Sequence, residues 1–158
     1  MRNILRQGIS FMLPIAVLIL VPLSLVQDPH IKSIPAIIIG LPIIMAGLYL
    51  LVSTVSAIIR IGDGTLAPWS PTKKLVTTGT YRYVRNPMIS AVLITLFGES
   101  ITILSLKIFY WAIIFFIINN LFFLIYEEPK LGKRFGKQYR EYKKKVPRWI
   151  PKIKKTDY

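Results

Sequence analysis

Cysteine is absent from the 158 residues, which excludes disulfides, iron–sulfur clusters, thiolate nucleophiles and cysteine-ligated zinc. Histidine is nearly absent too: His30 stands alone in the short QDPHIK link, where it reads as a solvated side chain rather than a base or ligand, so no metal is expected. Acidic residues are scarce, 7 against 21 Lys and Arg, for a net charge of +14. Long polar stretches are also few. Hydrophobic residues make up 53% of the chain and its mean hydropathy is +0.52, values that point to a membrane protein rather than a soluble domain.

Apolar runs mark about four transmembrane spans, near 9–26, 34–59, 88–104 and 108–126, each close to the length needed to cross about 30 Å of hydrocarbon. No small-residue cleavage site follows the first run, so it reads as a retained helix rather than a signal peptide. In the second, Gly40 and Gly47 allow close helix contact. A polar loop, 60–87, carries Gly, Pro, Thr and charge and is expected to hold only short helical pieces. Residues 127–158 form a basic tail that begins amphipathic, with Leu131, Phe135, Tyr139 and Tyr142 at helical spacing. No internal repeat stands out. The expectation is one all-α, polytopic membrane domain, 1–158.

With the N-terminus inside, every Lys and Arg except Lys32 and Lys107 falls on the inner side, as cytoplasmic flanks require. Both termini are then cytoplasmic and the location is the cell membrane. Trp69 and Trp149 fall at the inner interface and Trp111 near the outer one. Because topology accounts for the charge, a nucleic-acid partner is disfavoured, and anionic membrane lipids are the expected neighbours of the tail.

This topology brings GTYRYVRNPM, residues 79–88, to the same membrane face as EEPK, residues 127–130. Two adjacent carboxylates then face arginines, tyrosines and a helix start at Pro87 or Met88, whose free N–H groups and positive dipole end point the same way. The competing reading is that Glu127 and Glu128 pair with tail lysines in solvated bridges of little worth. Two polar features lie within the spans. Glu99 is an intramembrane acid, equally suited to a structural role inside the bundle; Asn119 and Asn120 suit interhelical hydrogen bonds better than the lining of an acceptor tunnel.

GDGTLAPWSPTKKLVTTGTYRYVRNPM resembles the loop and Arg-His-Pro-x-Tyr motif of the isoprenylcysteine carboxyl methyltransferase family, with Asn86 in the histidine place as in many prokaryotic members. EEPKLGKRFGKQYREYKKKVPRWIP is similar to that family's second motif, with Glu127, Glu128, Leu131, Gly136, Tyr139 and Tyr142 in its places. The resemblance implies an integral-membrane methyltransferase with a cytoplasmic pocket for S-adenosylmethionine, formed by loop, span starts and tail. It implies cofactor contacts from Val76, Gly79, Tyr81, Tyr83, Asn86, Pro87, Glu127, Glu128, Leu131, Tyr139 and Tyr142, and catalytic roles for Arg85 and Glu128. The acceptor would be lipophilic. A carboxylate acceptor needs only to be held, for instance by Arg85, whereas an amine or thiol needs a base, for which one of the two glutamates is the candidate. The chain departs from the motif at Ile89 and Ala91, where the family has tyrosine and glycine, and LFFLIY lacks an arginine that some members place before the glutamates. Two rival readings are a related membrane reductase holding a nicotinamide cofactor and a non-enzymatic subunit that binds anionic lipid.

Overall fold

The computed structural model describes residues 14–26, 33–61 and 74–151. The readings made for the N-terminal arginines, His30, Lys32, Trp69, Lys73, loop residues 62–73 and the end of the tail lie outside them. Among the described residues all regular structure is helical: α1 (Ala16–Leu25), α2 (Ile34–Ile61), a 3₁₀ turn (Gly79–Arg82), α3 (Pro87–Ile103), α4 (Leu106–Phe122), a π-helical turn (Phe123–Glu127) and α5 (Glu128–Lys145).

Two helices are long and apolar enough to cross a membrane, α2 and the 40-residue run Leu106–Lys145. The helices α1 and α3 are apolar but shorter; α3, with 17 residues, rises about 25 Å at about 1.5 Å per residue. Much of α2's apolar surface faces outward, Ile38 being 67% exposed and Tyr49 78%, as suits a helix solvated by lipid on one side.

Helices α2 and α3 meet along a seam of small residues. A methyl group on Gly47 would lie 2.8 Å from the Thr95 backbone nitrogen and 3.0 Å from the Ala91 carbonyl; one on Gly40 would lie 2.8 Å from the Gly98 carbonyl. Close approach replaces the hydrophobic drive that is missing between helices in lipid. The threonines on the seam satisfy their own hydroxyls, Thr95 donating to the Ala91 carbonyl at 2.9 Å and Thr102 to that of Gly98 at 2.8 Å. Ala91 is fully buried there.

A second contact layer joins α1, α3 and α4 through Leu18, Val92, Leu96, Ile108, Ala112 and Phe115. The first turn of α1 is π-helical because Pro22 has no N–H to offer: Val21 donates back to Ala16, leaving the Val17 carbonyl without a helical donor. Trp111 Nε1 donates to that carbonyl at 3.2 Å, so this tryptophan ties two helices together. Between α3 and α4 the chain reverses through Leu104 in the left-handed conformation (φ 53°, ψ 46°) and Ser105, which caps α4.

The basic tail is not a separate segment as far as Lys145, for α5 continues α4 through the π-helical turn. Pro129 explains the turn: in an α-helical register it could not donate to Ile125 and its ring would crowd that carbonyl, and the wider turn relieves both. Further on, Gly136 (φ 52°, ψ −121°) bends α5 in a conformation that only glycine adopts easily. The helix ends at Val146, held extended (φ −112°, ψ 123°) by the Pro147 that follows.

Candidate functional site

Glu128 is the hub. It is 6% exposed, yet three cations from separate parts of the chain converge on it. Arg85, two residues before α3, donates from Nη1 to Oε1 at 2.8 Å. Arg148 donates to the same oxygen from Nε at 2.8 Å, with its Nη2 at 2.7 Å. Lys143 Nζ lies 2.6 Å from Oε2. Burial alone would push this carboxyl up, but the Lys143 hydrogen bond and the Arg85 and Arg148 charges outweigh it and hold the group below the usual carboxylate range.

Glu127, the adjacent residue, has the opposite environment. Burial pushes its carboxyl up to about 7, with the Glu128 charge adding and Lys130 opposing. One backbone step thus separates an acid held ionised from one that titrates near neutral pH. The Tyr81 phenol feels the same surroundings, and its burial and the Glu127 charge raise it above the ordinary tyrosine value.

The loop before α3 is clamped onto this centre. Tyr142 donates its hydroxyl to the Tyr81 carbonyl at 2.7 Å, the Arg85 N–H donates to the Pro147 carbonyl at 2.9 Å, and the hydroxyls of Thr54 and Thr80 lie 3.3 Å apart. Tyr139, Tyr142 and Val146 form a small buried cluster, with Leu75, Leu131 and Phe135 against it. Val76, the next residue after Leu75, is buried too. Burial, then the Glu128 charge, raise the Tyr139 phenol.

The structure therefore gathers Arg85, Tyr81, Glu127, Glu128, Tyr139, Tyr142 and Leu131 around one centre. Gly79 opens the 3₁₀ turn, and Asn86 and Pro87 start α3, the Asn86 carbonyl accepting from the Ser90 N–H and hydroxyl, each at 3.2 Å. Tyr83, 39% exposed, lines an apolar groove of about 440 Å³ with Leu50, Leu93 and Phe97. A second, basic cleft of about 430 Å³ is walled by Arg85, Lys143, Lys144, Lys145 and Pro147. Three buried loop atoms, Thr78 Oγ1, Arg82 Nε and Arg85 Nε, have no hydrogen-bond partner. In α3, Glu99 Oε2 is likewise buried without one. No metal-binding cluster occurs among the described residues.

Sequence reasoning left Lys143 and Arg148 as anonymous tail charges, and it did not give Asn120 its partners. The Asn120 Oδ1 accepts from Arg148 Nη1 at 3.2 Å and Trp149 Nε1 at 3.1 Å; Asn119 merely bonds back to the Phe115 carbonyl. The available signal was VPRW, a proline stop that turns an arginine and a tryptophan back toward the preceding helix.

Apolar helices of membrane length, with a buried charge cluster at the boundary of one of them, point to a membrane-associated protein that is all-helical among the described residues. The chain belongs to the phospholipid methyltransferase family, whose model matches residues 35–138, in the same membrane-methyltransferase superfamily as the isoprenylcysteine enzymes that its motifs resemble. It is also similar to an uncharacterized protein of Haemophilus influenzae, 46% identical over 39 residues that cover 25% of this chain and 62% of that protein. No solved structure matches it.

Proposed function

We propose that the protein is an integral-membrane methyltransferase that moves a methyl group from S-adenosylmethionine to a lipophilic acceptor at the cytoplasmic face. The observation that carries this reading is the buried pairing of Glu128 with Arg85, two residues before α3 and in the wall of a basic cleft, with Glu127 one residue away in a buried position of its own. In this reading 1–158 is one domain that crosses the membrane four times, with α1 to α4 as spans and both termini cytoplasmic.

The residues fit the cofactor. Thr78, Arg82 and Arg85 offer the unsatisfied buried atoms that a carboxylate and ribose hydroxyls would complete. Glu127, with Tyr81 beside it, suits the cationic end. Val76, Gly79, Asn86, Pro87, Leu131, Tyr139 and Tyr142 shape the walls, Tyr142 by fixing the Tyr81 backbone. Tyr83 sits toward the acceptor's groove. When bound, S-adenosylmethionine supplies an electrophilic methyl group on a sulfonium.

What the chain itself contributes is alignment and water exclusion. Arg85, fixed by Glu128 and by the Pro147 carbonyl, holds an anionic group of acceptor or cofactor. Glu128, held ionised, keeps Arg85 and Arg148 in place and completes the charged wall of the site. An amine or thiol acceptor must lose a proton, and the carboxylate able to take it near neutral pH is Glu127. The test is calorimetric binding of S-adenosylmethionine to detergent-purified protein, wild type against Glu127→Gln. Saturable binding that the substitution weakens supports the reading; no binding by folded wild type refutes it.

A further inference from the structure

Asn120 lies seven residues before the Glu127 boundary, in an apolar stretch of α4, where a side-chain amide is costly unless satisfied. The satisfaction comes from the segment after α5, through Arg148 and the indole N–H of Trp149. The Trp149 ring is pinned further, edge-on to Phe116 at 5.2 Å and to Phe123 at 6.2 Å. That ring forms part of the wall of the apolar groove, opposite residues of α2 and α3 such as Leu50, Leu93 and Phe97. The same short segment, through Val146, Pro147 and Ile150, walls the basic cleft, and Pro151 touches both chambers.

Residues 146–151 are therefore a partition, with cations on one side and hydrocarbon on the other. An amphiphile with an anionic head matches both chambers by charge and polarity. We propose that Trp149, anchored through Asn120, gauges the hydrocarbon chain of such an amphiphile, the methyl acceptor, and so sets the chain length the protein accepts. Tryptophan is suited to this because it combines a rigid flat wall with one N–H for an anchor. The inference deepens the methyltransferase reading and rests on it for the role of the bound amphiphile, while its test does not require turnover.

The probe is a series of lysophosphatidic acids of increasing chain length, bound to the detergent-purified full chain and read by native mass spectrometry. Wild type should show a preferred length. Trp149→Ala should move the preference to longer chains and change the long-to-short affinity ratio about tenfold, the scale on which a pocket discriminates single methylenes. Trp149→Phe, which keeps a ring but loses the anchor, and Asn120→Leu, which leaves the ring unanchored, should shift it less in the same direction. Phe97→Ala, opening the groove from α3, should reproduce the shift should Trp149→Ala fail to fold. An unchanged profile in a Trp149→Ala protein with wild-type thermal stability overturns the inference, as does absence of saturable binding by wild type. Equal affinity for uncharged monoacylglycerols of the same chains overturns the assignment of the head. A wild type that sorts chains but binds no S-adenosylmethionine refutes the methyltransferase reading and leaves the gauge standing.

Discussion

Glutamine at position 128 should behave quite differently from glutamine at 127. Glu128→Gln leaves Arg85, Arg148 and Lys143 facing a neutral amide. Lys143 is 48% exposed, so its share is that of a surface pair, about 0–1 kcal/mol. Arg85 and Arg148 are 10% and 18% exposed, and removing the partner of such buried cations costs about 3–5 kcal/mol. The amide oxygen still accepts one hydrogen bond, so the expected loss of stability is about 2–4 kcal/mol. Glu127→Gln removes a carboxyl that burial already disfavours in its charged form, so thermal stability at pH 8 should hold or rise, while S-adenosylmethionine affinity falls tenfold or more, about 1.4 kcal/mol. The two carboxyls also predict opposite pH slopes. Glu127, raised to about 7, binds its proton more tightly folded than unfolded, so its contribution turns unfavourable between about pH 4.5 and 7 and stays so above. Glu128, lowered, stabilises fully above the ordinary carboxylate value and loses that contribution as pH falls through its folded value. The assay is thermal unfolding of wild type and both variants in detergent from pH 4 to 8, with calorimetry alongside. If Glu127→Gln destabilises as much as Glu128→Gln, or if Glu128→Gln leaves stability untouched, the division of roles is refuted.

Other expectations follow from the packing. Gly47→Val inserts atoms where even a methyl meets the Thr95 backbone at 2.8 Å; it should cost about 1–3 kcal/mol or more of stability, read by thermal melt. Gly136→Ala has space around it but the wrong backbone conformation, so it should straighten α5 and weaken S-adenosylmethionine binding by displacing Tyr139 and Tyr142, with Gly132→Ala as the control that does neither. Because the chain has no cysteine, single-cysteine labelling can test the four-span arrangement directly: Leu104→Cys should react with an impermeant maleimide added outside cells, and Lys144→Cys only after the membrane is opened. Labelling of both from outside would refute it.

Much of the architecture was legible because apolar run length and glycine spacing act locally. The expected spans 34–59, 88–104 and 108–126 became α2, α3 and α4 with ends within a few residues, and Gly40 and Gly47 lie on the seam their size suggested. Run length was less informative about crossings, for two helices reach membrane length while α1 and α3 stop short. The tail's continuity with α4 was hidden by Pro129, which reads as a helix breaker although a π-helical turn absorbs it. The meeting of Arg85 with Glu128 followed from the hairpin. The cations from Lys143 and Arg148 did not, since their approach depends on the Gly136 bend and the Pro147 stop acting together over twenty residues of chain.

That same geometry explains why two consecutive glutamates are not redundant. Successive side chains on a helix point about 100° apart, so a pair at a helix boundary addresses two different neighbourhoods whatever its surroundings. Here the π-helical turn ends at Glu127 and α5 begins at Glu128, and the bend and the return of residues 146–151 bring Lys143 and Arg148, together with Arg85, to the second of the two, while Lys130 acts on the first. Glu127 is left with a tyrosine, a buried position and a negative neighbour. A lysine introduced to pair with Glu127, as in Tyr81→Lys, should hold that carboxyl ionised and bring its titration down toward the ordinary range. With Glu127 titrating at about 7, wild-type binding of S-adenosylmethionine should strengthen as pH rises from 6 to 8, and in the variant, whose carboxylate is already ionised and paired, binding should be weaker and no longer vary over that range. If the pH dependence persists in that variant, the titrating group lies elsewhere and Glu127 is not the acid that meets the ligand.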